Sequence, residues 1–236
     1  MSESYLFASV GVDHPLLSVD VEITADAGTR LGLVGPNGAG KTTVLRAIAG
    51  LQALDRGRIT LRGSVVDDPT TETFVEPKSR NVGVVFQDYR LFPNLSALDN
   101  VAFGLSVERI GRKEARARAR EWLARLDLSE HADNKPNTLS GGQAQRVALA
   151  RTLATDPDVL LLDEPLAAID PDARQRIRED LGRFLAEYRG VTVIVSHHHD
   201  DIRALTDTAL VMERGRVTWT GPSTDLVQSV GQNSPR

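Results

Sequence analysis

The residues most able to do chemistry are Gly35-Pro36-Asn37-Gly38-Ala39-Gly40-Lys41-Thr42-Thr43, which fit the pattern G-x-x-x-x-G-K-[ST] at every constrained position. Three glycines let the backbone turn tightly, so successive N–H groups aim at one set of phosphate oxygens. Lys41 adds a mobile cation for the β- and γ-phosphates, and Thr42 offers a hydroxyl to Mg²⁺. Asn37, Gly38, Ala39, Gly40, Lys41, Thr42 and Thr43 are therefore the expected phosphate contacts. A second pair lies far along the chain, where four apolar residues run into Asp163-Glu164. Asp163 is placed to hold the Mg²⁺ shell, and Glu164 to orient or deprotonate an attacking water. Two further apolar runs end in polar residues, one at Gln87 and one at Ser196-His197.

Those residues need elements that bring them together. Residues 29–34 read as a buried strand entering the glycine-rich loop, and Val44, Leu45, Ile48 and Leu51 fall at helical spacing after it. The phosphates would then sit at a helix N-terminus, where free amides and the dipole favour anions. Residues 159–162 and 191–195 are continuous apolar runs, as strands buried on both faces should be. With 81–86 they form a parallel set, and in such a sheet the site lies outside the carboxyl ends of the strands.

Elsewhere, residues 5–12 and 17–24 alternate as two antiparallel strands, 58–61 is a short strand, and 67–80 reads as a polar loop. Helices are predicted over 96–105 (Ser96 as its cap), 113–126 with an Arg-rich exposed side, 144–155 and 173–188. Residues 209–212 and 216–219 form a closing hairpin turning at Arg214-Gly215. The fold class is α/β: a P-loop core with an N-terminal antiparallel β-subdomain and an inserted helical subdomain. As one domain over 1–236, the core takes 1–87 and 156–227, the helical subdomain 88–155, and a polar tail 228–236.

Bulk properties narrow the class. The net charge is −4, against the basic footprint of a dedicated nucleic-acid binder. The chain has no cysteine, so disulfides and Cys-ligated metals are excluded. No apolar run approaches the ~20 residues of a membrane span, and the N-terminus lacks a signal-peptide layout. A soluble, cytosolic protein is the expectation, with any membrane role reached through a partner.

Leu139-Ser140-Gly141-Gly142-Gln143 stands as an unaltered LSGGQ signature. With the P-loop and Asp163-Glu164, it makes the chain resemble an ATP-binding-cassette ATPase subunit over nearly its whole length. The resemblance implies that Gln87 is the Q-loop glutamine, sharing the Mg²⁺ shell with Thr42 and Asp163 and acting in catalysis. It makes Asp170 the D-loop aspartate and His197 the switch histidine, so Glu164, His197, Gln87 and Lys41 form the catalytic set. It implies a head-to-tail dimer that sandwiches two ATPs, each between one P-loop and the Ser140, Gly141, Gly142 and Gln143 of a second copy. A Gly-Gly pair at a helix N-terminus is a second anion cradle.

The sequence departs from the family in three places. No aromatic stands in 10–16 to stack on adenine, where His14 is the nearest flat ring. Ala167 occupies a common serine position, and His198 and His199 follow the switch histidine. A three-histidine metal site is the less favoured reading of that run, since consecutive side chains at a strand end point in different directions.

The single cassette and its short helical insert resemble transporter subunits. Residues 84–105 resemble importer ATPases served by an extracytoplasmic solute-binding protein, closest to the molybdate/tungstate oxyanion branch, in which a C-terminal regulatory barrel is common. Permease subunits would hold the chain on the inner face of the membrane, with no direct nucleic acid contact. An exporter ATPase is the alternative within the class. A soluble, nucleic-acid-associated ATPase is the alternative outside it.

Overall fold

Alternation decides the first pair of strands. In β2 (Val19–Ala25) every second side chain is buried, and β1 (Leu6–Val12) pairs with it antiparallel through Val10 and Val21. One face packs and the other meets water. The computed structural model describes residues 4–86, 89–107, 110–167, 169 and 171–226.

β3 (Arg30–Val34) leads through the glycine-rich loop into α1 (Lys41–Ile48). β4 (Arg56–Leu61), β5 (Ser64–Asp68) and β6 (Thr73–Phe74) extend the antiparallel side beyond β1. β7 (Val82–Val85) is followed by α2 (Ala97–Val107), α3 (Arg112–Arg125) and α4 (Gly141–Leu153). Then come β8 (Val159–Asp163), α5 (Pro171–Glu187), β9 (Val191–Val195), α6 (His199–Leu205), β10 (Thr208–Glu213) and β11 (Arg216–Pro222). Among the described residues the strands form one sheet, ordered β6-β5-β4-β1-β2-β11-β10-β3-β9-β8-β7. The five strands from β10 to β7 are parallel, which sets their carboxyl ends side by side.

Two apolar clusters cover the sheet. Leu160, Leu162 and Ile194 face the helices α2 to α6, while Val159, Leu161 and Val193 face α1 and the curled β1–β2–β4 side. Leu160, Leu161 and Leu162 are all fully buried, each contributing about 1.5–3 kcal/mol over an exposed side chain. The helical segment therefore shares one core with a face of the sheet.

The structure corrects three sequence expectations. Segment 67–80 is a strand pair with 3₁₀ turns, not a loop, because buried Arg80 binds Asp67 at 3.0 Å. The same guanidinium donates to the Ala47 and Ile48 carbonyls, capping the negative end of α1. Leu51 lies past α1 and is exposed. α4 begins at Gly141, not at 144, because Ser140 caps it. The expected cap on α2 is present, with Ser96 Oγ accepting from Asp99 N at 3.1 Å. The predicted tail lies outside the described residues.

Candidate nucleotide site

Parallel pairing aligns the strand ends. Leu33 of β3 and Asp163 of β8 both register with Val195 of β9, so the loop entrance, Asp163 and the Ser196-His197 turn lie at one level. A cleft of about 1050 Å³ opens there, lined by residues 34–43, Arg46, Asp163, Glu164, His197 and His199. Gly40 caps α1 at φ 99, where an L side chain is strained and a Cβ would lie 2.7 Å from Val19. The first-turn amides of Lys41, Thr42 and Thr43 have no intrahelical acceptor, so they face the cleft as anion donors. Asn37, Gly38, Gly40, Thr42 and Thr43 line it as expected; the Ala39 side chain is buried, so that residue offers only backbone.

Lys41 Nζ donates to the Gly35 and Pro36 carbonyls at 2.7 and 2.9 Å. An ammonium has three donors, so one remains for a phosphate oxygen. Burial pushes the Lys41 pKa down, partly offset by the charges of Glu164 and Asp163. Burial also pushes Asp163 up, helped by Glu164, while Lys41, Arg46 and a hydrogen bond from Thr42 pull it back. The Thr42 hydroxyl and Asp163 carboxylate are hard oxygen donors on the same cleft, a fit for Mg²⁺.

Glu164 stands just past β8 in the left-handed region, at φ 52. Its N–H donates to Val195 O at 2.9 Å, which turns the side chain into the cleft. There His197 Nδ1 donates to Glu164 Oε2 at 2.8 Å, leaving Nε2 for a substrate. Strain of this kind in a non-glycine residue is retained where the surroundings impose it, often at working sites. His198 lies against His197 with ring centroids 3.9 Å apart; burial, then Arg174 and His197, push its pKa down. His198 caps α6 outside the cleft wall, whereas His199 lines it. The sequence reading set both aside and missed His199. Among the described residues no group of three or more His, Cys, Asp or Glu side chains is clustered to hold a metal. Arg46 was also missed, although its position four residues after Thr42 puts it on the same helix face.

Ser140, Gly141, Gly142 and Gln143 do not line this cleft. Ser140 Oγ accepts from Gln143 N while Gln143 Oε1 accepts from Ser140 N, a reciprocal cap that fixes the turn at the start of α4. Gln87 and Asp170 lie outside the described residues. Val12, Asp13, His14 and Leu17 also line the cleft, in the stretch that carries no aromatic to stack on a base. Of the apolar run after Gln87, Tyr89 and Leu91 pack against the core, whereas Phe92 is 39% exposed and stacks on Phe103 at 4.5 Å.

Fold and site together define a P-loop nucleotide-binding α/β protein. The sequence model of the ABC transporter family matches residues 19–167. The chain belongs to that family. It is 44% identical over 211 residues to the Fe(3+) ions import ATP-binding protein FbpC 1 of Rhizobium meliloti, covering 89% of this chain and 58% of that one. It is 44% identical over 213 residues to the molybdenum import ATP-binding protein ModC of Mycobacterium tuberculosis, with the same coverages. The sulfate/thiosulfate import ATP-binding protein CysA of Synechococcus elongatus is 42% identical over 207 residues, covering 88% and 58%. The chain thus spans 58% of the length of these relatives. Among solved structures, a dimeric post-hydrolysis state of the ATP-binding cassette MJ0796 bound to ADP and Pi has a TM-score of 0.78 at 29% identity, covering 92% of this chain and 98% of that one. CbiO1 of Clostridium perfringens, part of the complex cbiONQ, has a TM-score of 0.81 at 27% identity, covering 95% and 91%.

Proposed function

We propose that this chain hydrolyses ATP to ADP and phosphate and is the energising subunit of an importer for a small solute. The observation that carries the chemistry is the convergence, in one cleft, of Lys41, the Thr42–Asp163 pair and the Glu164–His197 pair. Lys41 and the α1 amides bind and orient the phosphate chain. Thr42 and Asp163 would hold Mg²⁺, with Gln87 as a further ligand, and the ion supplies charge neutralisation of the β- and γ-phosphates. Glu164 takes the proton of the attacking water, and His197 holds that carboxylate and the γ-phosphate in line.

The position of Ser140-Gly141-Gly142-Gln143 outside the cleft supports a head-to-tail dimer, in which each copy's signature turn meets the nucleotide on the other. We assign Asp170 to nucleotide binding on the family resemblance alone. The import names of the relatives support coupling to permease subunits on the cytoplasmic face of the membrane. Delivery of the solute by an extracytoplasmic binding protein is part of the same proposal, on the resemblance of residues 84–105. Those relatives are named for iron, molybdenum and sulfate at nearly equal identity. Molybdate, tungstate or a related oxyanion is the solute class we assign, resting on the missing base-stacking aromatic and on two of the three names.

The test pairs two variants. Lys41→Ala should weaken ATP binding at least tenfold. Glu164→Gln should keep binding, lower turnover by about 10²–10⁴-fold and accumulate an ATP-bound dimer. Turnover at the parent rate in Glu164→Gln would remove the assigned base. Uptake of labelled molybdate and sulfate by cells with and without the gene separates the solutes, and no change in either would reject the oxyanion class.

A further inference from the structure

Outside the cleft, the amide of Gln143 is held from both sides. Its carboxamide oxygen accepts from the Ser140 backbone N–H at 2.8 Å, and its nitrogen lies 2.9 Å from Nε2 of His131. The first contact settles the second. A backbone N–H can only donate, so the atom facing it must be Oε1, and the atom facing His131 must be the NH₂ group. An NH₂ group can only donate, so His131 Nε2 must accept. The ring then carries its proton on Nδ1, 3.4 Å from the Asn134 amide, whose oxygen rather than nitrogen must face the ring to accept it.

His131 is itself a fixed post. Its N–H donates to Leu128 O and its carbonyl accepts from Asn134 N, both at 3.0 Å. The adjoining Ala132 and Asn134 carbonyls accept from Leu98 and Ala97 at the start of α2, both at 2.8 Å. Leu128 beneath it is fully buried. The ring thus ties the first turn of α4 to the N-terminus of α2.

We infer that His131 is a positioning residue for the Ser140–Gln143 turn: by accepting from the Gln143 amide it locks the reciprocal cap, and so holds the backbone cradle offered to the γ-phosphate on a second copy. A Gln143 side chain without that anchor can rotate away, release the Ser140 N–H and loosen the cradle. This inference rests on the head-to-tail reading proposed above, and its two tests separate the lock from that reading.

The first measurement is made on the unmutated protein. In ¹⁵N-histidine-labelled chain, with His131 among five histidines assigned by its absence in His131→Gln, the imidazole should be neutral, protonated at Nδ1 and bare at Nε2. Protonation at Nε2 instead overturns the lock. The second compares variants in the Glu164→Gln background by ATP-driven dimerisation. His131→Leu removes the acceptor and should weaken the dimer about 10–100-fold, from roughly three- to tenfold at each of two cradles. His131→Gln, which returns a carbonyl acceptor, should restore most of it. Affinity of the isolated subunit for a fluorescent ATP analogue, read at the P-loop, should stay within about twofold. Equal dimerisation by His131→Leu and the parent, or no recovery in His131→Gln, overturns the inference. If the Glu164→Gln chain does not dimerise with ATP at all, the head-to-tail reading fails, and the tautomer measurement alone decides the lock.

Discussion

Two neighbouring aspartates on α6 should behave oppositely when neutralised. The Asp201 side chain is 1% exposed and sits between Arg174 and Arg178 of α5. Arg174 Nη2 makes the short contact, and Arg174 Nε, Arg178 Nη1 and Ser196 Oγ each donate at 3.4 Å. Ser196 Oγ in turn accepts from His198 N at 3.1 Å, so the network runs from α5 to the turn that carries His197. Breaking a buried ion pair costs about 3–5 kcal/mol. Here the arginines are 17% and 24% exposed and can partly rehydrate, and asparagine keeps one acceptor. The expected loss for Asp201→Asn is therefore about 2–3 kcal/mol, or about 4–12 °C in Tm for a domain of this size. Asp200 is 77% exposed and, among the described residues, pairs with Arg203 one turn on, so Asp200→Asn should cost less than about 0.5 kcal/mol. Urea and thermal unfolding of both variants measure the contrast. ATPase turnover should fall several-fold in Asp201→Asn, and kcat should change more than KM, because the loosened turn holds the in-line geometry. Equal melting of the two variants, or an Asp201→Asn Tm within about 1 °C of the parent, would refute the argument.

Other outcomes follow from the same geometry. The folded-state pKa of Asp163 is raised, so the stability it contributes is complete below the ordinary carboxylate value of 3.8 and is lost as pH rises through the folded value. Asp163→Asn should therefore raise the Tm of the nucleotide-free chain at pH 7. That gain should shrink toward acid, and stabilisation by Mg-ATP should disappear, all readable in melts across pH. His197→Ala should abolish most hydrolysis and His198→Ala should leave most of it. His199→Ala, which alters the cleft wall, should act mainly on KM; a zinc- or chelator-dependent loss in all three would reverse the reading of the run. If the exposed Phe92, just after Gln87 in the chain, meets the proposed permease, Phe92→Glu should spare folding and nucleotide binding but impair transport, whereas Leu91→Glu, partly buried against the core, should lower the Tm.

Much of the site was legible because its signals are local. The P-loop and the LSGGQ turn are written in consecutive residues whose backbone needs, such as positive φ at Gly40 or a Ser–Gln cap on α4, are met within a few positions. The runs at 159–162 and 191–195 name buried parallel strands because side chains that pack on both faces leave no polar alternation. Other features depend on what distant segments meet. Nothing near 67–80 says that Arg80 will pair with Asp67 and cap α1, so that segment read as a loop. The sequence placed Glu164 and His197 at strand ends, but their hydrogen bond exists because β8 and β9 pair in a register set by the whole sheet. The fold likewise decided that the signature turn lies away from its own P-loop and that His131 meets Gln143. Local sequence dictates backbone conformation and which face is apolar. Only the packing of remote elements, driven by burying those faces together, fixes which polar groups come within a hydrogen bond of one another.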